Sequence, residues 1–194
     1  MHTSFFRQLF SKQDRRAEFE EQFRTGEWAF LEGVAELSRY SIITGYCQWL
    51  EVKSVLDVGC GQGVLAERLK PLDYAAYLGV DFSAEAVSAA QAAHGDRRTR
   101  FVTGDAAVFQ PDGRFDAIVF NECLYYLDDP AQVLADYARA LATPNGRFIV
   151  SIHRTPRNER VWPLIDKVAA VVDAVTVTNQ AGTAWIVKLM APRG

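Results

Sequence analysis

The segment Val55-Leu56-Asp57-Val58-Gly59-Cys60-Gly61-Gln62-Gly63 constrains this chain more than any other feature. A short strand-forming run passes directly into alternating glycines, and the helical stretch 64–69 follows at once. Glycines are needed where the backbone turns sharply and where a ligand must come close to the main chain. A buried strand that feeds a helix through such a turn belongs to an α/β sheet, which binds ligands at the carboxyl ends of its strands. The spacing also selects among ligands. A dinucleotide fingerprint reads G-x-G-x-x-G, whereas Gly59, Gly61 and Gly63 read G-x-G-x-G with Asp57 ahead of them. A nicotinamide-dependent oxidoreductase is therefore disfavoured. An ordinary strand-to-helix turn is the competing account of the glycines alone.

The rest of the chain repeats the same unit. Short apolar runs at 54–58, 76–80, 100–103, 115–120 and 147–152, bounded by Gly, Pro and Asp, read as five buried strands. Helical stretches at 65–69, 84–93 and 131–141 alternate with them, with Ser83 as a helix N-cap and Pro130 in a first turn. This alternation predicts a parallel sheet with helices on both faces. After Pro163 a helical piece leads to 171–178, and Asn179-Gln180-Ala181-Gly182 then turns the chain into 184–190, which predicts a closing hairpin with an antiparallel edge. Ahead of the sheet, residues 5–50 carry Phe19, Phe23, Phe30, Leu31, Val34 and Leu37 at roughly three-and-four spacing, the pattern of two or three helices. Residues 1–50 are thus expected to form a helical cap on a domain spanning 51–194, the two making one compact unit.

Composition removes several function classes. The 194 residues are 49% hydrophobic and 23% charged, which suits an ordinary globular chain. With 21 Lys and Arg against 24 Asp and Glu, the net charge of -3 lacks the basic footprint of a nucleic-acid binder. Cys47, Cys60 and Cys123 are odd in number and far apart, so no disulfide framework or C-x-x-C pair can be drawn. His2, His94 and His153 show no ligand spacing, and no metal site is expected. No signal-peptide core or 18-residue uncharged apolar run occurs, so a cytoplasmic protein without membrane association is expected.

The segment from Asp57 to Gly63 closely resembles motif I of the class I S-adenosylmethionine-dependent methyltransferases, and the resemblance continues in order to about Met190. It implies a Rossmann-like, seven-stranded, mostly parallel sheet in the order 3-2-1-4-5-7-6, with the last strand antiparallel, helices on both faces and an N-terminal helical lid. It implies S-adenosyl-L-methionine as cofactor, with Asp57, Gly59, Cys60, Gly61 and Gly63 beside its methionine part. Leu78-Gly79-Val80-Asp81-Phe82-Ser83 supplies the acid that ends the second strand and holds both ribose hydroxyls, a role the physics supports because one carboxylate can accept two hydrogen bonds from a vicinal diol. Phe82 would flank the adenine. Gly104-Asp105-Ala106 would meet the adenine amino group, Asn121 closes the fourth strand, and Pro144-Asn145-Gly146 matches the turn before the fifth. In the lid, Arg39 is the residue to pair with the methionine carboxylate, since a guanidinium fork matches a carboxylate bidentately, with Tyr40 beside it. Cys60, between two glycines, reads as a small residue suited to the turn rather than a nucleophile.

Methyl transfer from a sulfonium asks chiefly for positioning, and a hydroxyl acceptor additionally needs a base. His153, Glu122 and Tyr125 fall where the fourth and fifth strands end and are the catalytic candidates. The sequence after strand four, Asn121-Glu122-Cys123-Leu124-Tyr125, is not the N-P-P-Y/F of enzymes that methylate base amines, and lacks the acidic pair of protein-arginine enzymes. The expectation is a metal-independent methyltransferase for a small-molecule acceptor, a sugar or natural-product hydroxyl. The alternative is a non-catalytic protein that binds the same cofactor. The acceptor and the oligomeric state are not written in the sequence.

Overall fold

The structure is a computed structural model that describes residues 12–142 and 145–193. The helical expectation for residues 5–11 and the residue Pro144 fall outside the described residues. Seven strands form one sheet: β1 (Ser54–Val58), β2 (Ala76–Asp81), β3 (Thr99–Thr103), β4 (Ala117–Asn121), β5 (Arg147–His153), β6 (Ala169–Thr178) and β7 (Ala184–Pro192). Their order is β3-β2-β1-β4-β5-β7-β6. The pairs among β1 to β5 are parallel, and β7 runs antiparallel to both neighbours, as expected. The helices are α1 (Lys12–Arg24), α2 (Val34–Trp49), α3 (Val64–Leu69), α4 (Ala84–His94), α5 (Pro130–Tyr137) and the single turn α6 (Trp162–Ile165).

The period-two pattern of the central strands separates two cores. Val55, Val119 and Ile149 face one side with Ile43, Leu65, Tyr77 and Phe101. Leu56, Ile118, Phe120, Phe148 and Val150 face the other with Leu134, Tyr137 and Trp162. Each such side chain taken out of water contributes about 1.5–3 kcal/mol. Helix α2 packs into the first core through Tyr40, Ile43 and Cys47. The anticipated Ser83 cap and first-turn Pro130 both form: Ser83 Oγ accepts the Ala86 N–H, Pro130 opens α5, and Asp129, not singled out in the sequence, caps that helix by accepting the Gln132 N–H.

Local chemistry moves several boundaries. Strand four begins at Ala117 rather than Phe115, because Asp116 turns its carboxylate back to accept the backbone N–H groups of Lys53 and Ser54 and the Ser54 hydroxyl. Helix α5 stops at Tyr137, and residues 138–140 tighten into a 3₁₀ turn. Strand five runs one residue past Ile152, so His153 is a strand residue paired with Trp185.

Candidate functional site

At the carboxyl edge of the sheet a cavity of about 210 Å³ lies over the ends of β1, β2 and β4. Its floor is the glycine turn. Gly59, Gly61 and Gly63 all have positive φ, at 76°, 52° and 83°. A side chain at Gly59 would also place its Cβ 2.7 Å from Cys123 Cβ, so two independent constraints require glycine there. The N–H groups of Gly59 and Cys60 both donate to Val80 O, at 2.8 and 3.1 Å, which fastens the turn to β2. Cys60 lines the cavity, but burial pushes its thiol well above the usual range, which fits a packing role and not a nucleophile.

Two carboxylates flank this turn. Asp81, 7% exposed at the end of β2, accepts the Gly61 N–H on one oxygen and the Ser83 N–H on the other, each at 2.9 Å. A carboxylate offers about four lone-pair sites, so an oxygen pair held in this way retains acceptor capacity on both atoms, the requirement for a vicinal diol. Burial raises its pKa, and the two backbone amides work against that shift. Asp57, 1% exposed, accepts the Tyr77 hydroxyl at 2.5 Å on Oδ2. Its Oδ1 is buried without a partner although the residue lines the cavity. Burial pushes Asp57 up to about 7, opposed by the Tyr77 bond and assisted by the charge of Asp81. A buried acceptor left open at a cavity wall is matched by a donor, preferably a cationic one, on a bound molecule.

At the far wall, Asp105 forms an ion pair with Arg16 of α1 and accepts the Ala107 N–H. Phe82 and Ala106 line the same end. Arg39, Tyr40, Asn121, Glu122 and Tyr125 line the cavity as well. Arg39, fully buried, donates from Nε to Asn121 Oδ1 at 3.2 Å and from Nη2 to the Tyr40 hydroxyl at 3.3 Å, and is paired with Glu36. Glu122 has φ of 62°, a left-handed conformation rare for a side chain of this kind. Its carboxylate accepts the Ser151 hydroxyl and the His153 N–H at 2.8 Å and the Tyr125 hydroxyl at 3.0 Å, binding the ends of β4 and β5 together.

The structure thus brings the expected cofactor residues Asp57, Gly59, Cys60, Gly61, Asp81, Phe82, Asp105, Ala106, Asn121, Arg39 and Tyr40 to one cavity, with Glu122 and Tyr125. Gly63 stands behind the turn as the N-cap of α3. His153 is not brought there. Its ring tilts against Trp185 with centroids 5.9 Å apart, and it is not among the cavity-lining residues. Sequence reasoning passed over Arg16, Phe19 and Phe23 of α1, which close the cavity from above, and Tyr77, which holds Asp57 from below. Phe19 and Phe23 stood out by their helical spacing, but that spacing does not tell a core face from a cavity wall. Among the described residues no cluster of His, Cys, Asp and Glu could hold a metal ion, and no helix is long and apolar enough to cross a membrane.

The family model for the methyltransferase domain matches residues 56–150 of this chain. That match bears out, for residues 56–150, the resemblance to the class I S-adenosylmethionine-dependent methyltransferases. An uncharacterized methyltransferase of Mycobacterium bovis is 33% identical over 123 residues, which cover 62% of this chain and 61% of the relative. The chain therefore spans less than two thirds of that relative's length. Among solved structures, 1,6-didemethyltoxoflavin-N1-methyltransferase of Burkholderia thailandensis, with S-adenosylhomocysteine bound, superposes with a TM-score of 0.75 at 21% identity, covering 96% of this chain and 92% of that one. The N-methyltransferase NodS of Bradyrhizobium japonicum, also with S-adenosylhomocysteine, gives 0.70 at 20% identity, covering 86% and 92%. At those identities the likeness establishes the fold.

Proposed function

We propose that this protein transfers a methyl group from S-adenosylmethionine to a small-molecule acceptor. The observation that carries the reading is the pair of buried carboxylates on the glycine turn. Asp81 keeps acceptor capacity on both oxygens for the ribose diol, and Asp57 Oδ1 is open to the methionine ammonium. The donors of Arg39 not engaged by Asn121, Tyr40 and Glu36 suit the methionine carboxylate, while Phe82, Asp105 and Ala106 suit the adenine. Bound S-adenosylmethionine supplies an electrophilic methyl group on a sulfonium. The cavity's task is to hold an acceptor atom in line with it, which contributes up to about 7–11 kcal/mol.

The acceptor we propose is a hydroxyl of a sugar or natural product. The cavity is small and aromatic and capped by two helices, which suits a compact molecule better than a nucleic acid or folded protein. As the acceptor oxygen takes the methyl group, its proton passes to Tyr125 Oη while Tyr125 hands its own to Glu122 Oε2 along the existing 3.0 Å hydrogen bond. Helices α1 and α2 act as the cap, and a cytoplasmic location goes with this reading. A nitrogen acceptor is the second reading, favoured by one observation: the Glu122 carboxylate already accepts three donors, and a nitrogen lone pair needs no base. Purified protein incubated with cofactor labelled in its methyl group, against panels of sugars, phenols, amines and thiols, separates the two. Label in a hydroxyl panel supports the first reading and label only in amines replaces it. Label in no panel, with cofactor bound, overturns methyl transfer to this class of acceptor.

A further inference from the structure

Helix α1 reaches the adenine end of the cavity through Arg16 and Phe19, whose partners Asp105 and Phe82 are groups the cofactor itself would use, and Glu20 docks the helix beside them. The Arg16 guanidinium pairs with Asp105, and its Cζ lies 5.5 Å above the centre of the Phe82 ring. Phe19, one turn on, meets Phe82 edge-on with centroids 5.7 Å apart and Tyr126 at 5.3 Å. Glu20 accepts from the Ser83 hydroxyl at 2.6 Å and the Ala84 N–H at 3.0 Å, which fixes α1 to the N-terminus of α4 immediately beyond Phe82.

The spacing at Phe82 forbids simultaneous occupancy of that ring face. A flat base slid between a cation and a ring needs about 3.5–4 Å on each side, roughly 7–8 Å in all, against the 5.5 Å present. Asp105 has the same conflict, because the carboxylate that would meet the adenine amino group is paired with Arg16. The cavity of about 210 Å³ is correspondingly below the roughly 300–1,000 Å³ of ligand pockets. The side chains of Arg16 and Asp105 are 41% and 25% exposed, so the pair is open to solvent and can be displaced. The Glu20 contacts are independent of it and keep α1 docked while the arginine swings away.

We propose that Arg16 is a built-in competitor of adenine, occupying the Phe82 face and the Asp105 carboxylate until the cofactor displaces it. The proposal rests on the reading of this cavity as the cofactor site. It makes adenine entry sensitive to ionic strength although adenosine carries no charge.

Calorimetric titration with S-adenosylhomocysteine and with adenosine, on the wild type and on Arg16→Ala, tests it. A partly exposed ion pair and a cation–π contact are each worth up to a factor of about five, so Arg16→Ala should bind both ligands about 3- to 30-fold more tightly. Arg24→Ala, which removes an exposed charge paired with Glu21 on the same helix, should bind as the wild type does. Raising salt from about 0.05 to 0.5 M shortens screening lengths several-fold, and should tighten adenosine binding to the wild type but not to Arg16→Ala. If the wild type binds no S-adenosylhomocysteine, the cofactor reading fails and the competition with it. If the wild type binds and Arg16→Ala binds equally or more weakly, the competition alone is overturned, and a weaker variant makes Arg16 an adenine ligand.

Discussion

Replacing Asp81 by alanine should separate cofactor binding from folding, and the structure sets both magnitudes. The carboxylate is nearly buried and accepts two backbone N–H groups, one from Gly61 and one from Ser83. Losing those acceptors strands two amides beside a cavity that water can enter, a cost of about 1–3 kcal/mol to the native state. For a chain of this size that lowers the melting temperature by roughly 2–12 °C. The ribose contacts are a separate loss: charge-assisted bonds of about 1.5–3 kcal/mol, or roughly 10- to 150-fold in affinity. Stability and affinity would fall together if the variant merely loosened the glycine turn, so the assay needs a second ligand. Calorimetry with S-adenosylhomocysteine and with an analogue lacking both ribose hydroxyls completes a double-mutant cycle. The wild type should prefer the natural ligand by an order of magnitude or more, and Asp81→Ala should lose most of that preference. A variant that keeps the preference, or binds as tightly as wild type, refutes the ribose assignment.

The other expectations concern the same edge of the sheet. Gly59→Ala should cost about 1–3 kcal/mol in denaturant unfolding, since φ of 76° is strained for alanine and its Cβ would lie 2.7 Å from Cys123 Cβ; an unchanged midpoint would mean the turn is plastic. Burial lifts the native pKa of Asp57 from 3.8 to about 7, so between those values the native state holds a proton that the unfolded chain has released. Stability should therefore fall as pH climbs from about 4 to 7 and level off above. Binding of S-adenosylhomocysteine should strengthen over pH 6–8 as the carboxylate ionises against the ligand's ammonium, a trend that Asp57→Asn should flatten; a flat wild-type profile would count against the contact. His153→Ala should retain near-normal transfer, because the ring packs on Trp185, whereas a drop of about 10²–10⁴ would restore it as the base.

The glycine turn was legible because G-x-G-x-G after a buried run leaves few backbone solutions, and Asp81 followed from its place at a strand's end. The antiparallel position of β7 between β5 and β6 came from the family resemblance alone, since apolar runs identify strands but not neighbours. His153 was read as the first residue past strand five, but the strand continues through it, so its side chain follows the pleat and meets Trp185 instead of lining the cavity. Nothing local in the sequence marks Arg16 or Glu20, because their partners, Asp105 and Ser83, lie 89 and 63 residues away. Tyr77 was silent for the same reason, an aromatic on a buried strand being ordinary core until its hydroxyl is found on Asp57.

Strained and unsatisfied positions occur at the cavity and elsewhere, and their kind matters more than their presence. Tyr137 Oη and Trp162 Nε1 are also buried without partners, yet both belong to the core on the far face of the sheet and are neutral groups. Such a vacancy costs a modest desolvation penalty and points to nothing. Asp57 Oδ1 differs because it belongs to a carboxylate, whose burial is far more costly and is lowered by a cation supplied from outside. Glu122 differs because its left-handed backbone, a strain of about 1–3 kcal/mol, is held by three hydrogen bonds that converge from β5 and Tyr125. A chain under selection for stability alone would place glycine or asparagine there and keep carboxylates off the sheet's edge. That both departures sit within one cavity, with Gly59 at its floor where a Cβ would meet Cys123, supports reading it as a binding site rather than an imperfect core.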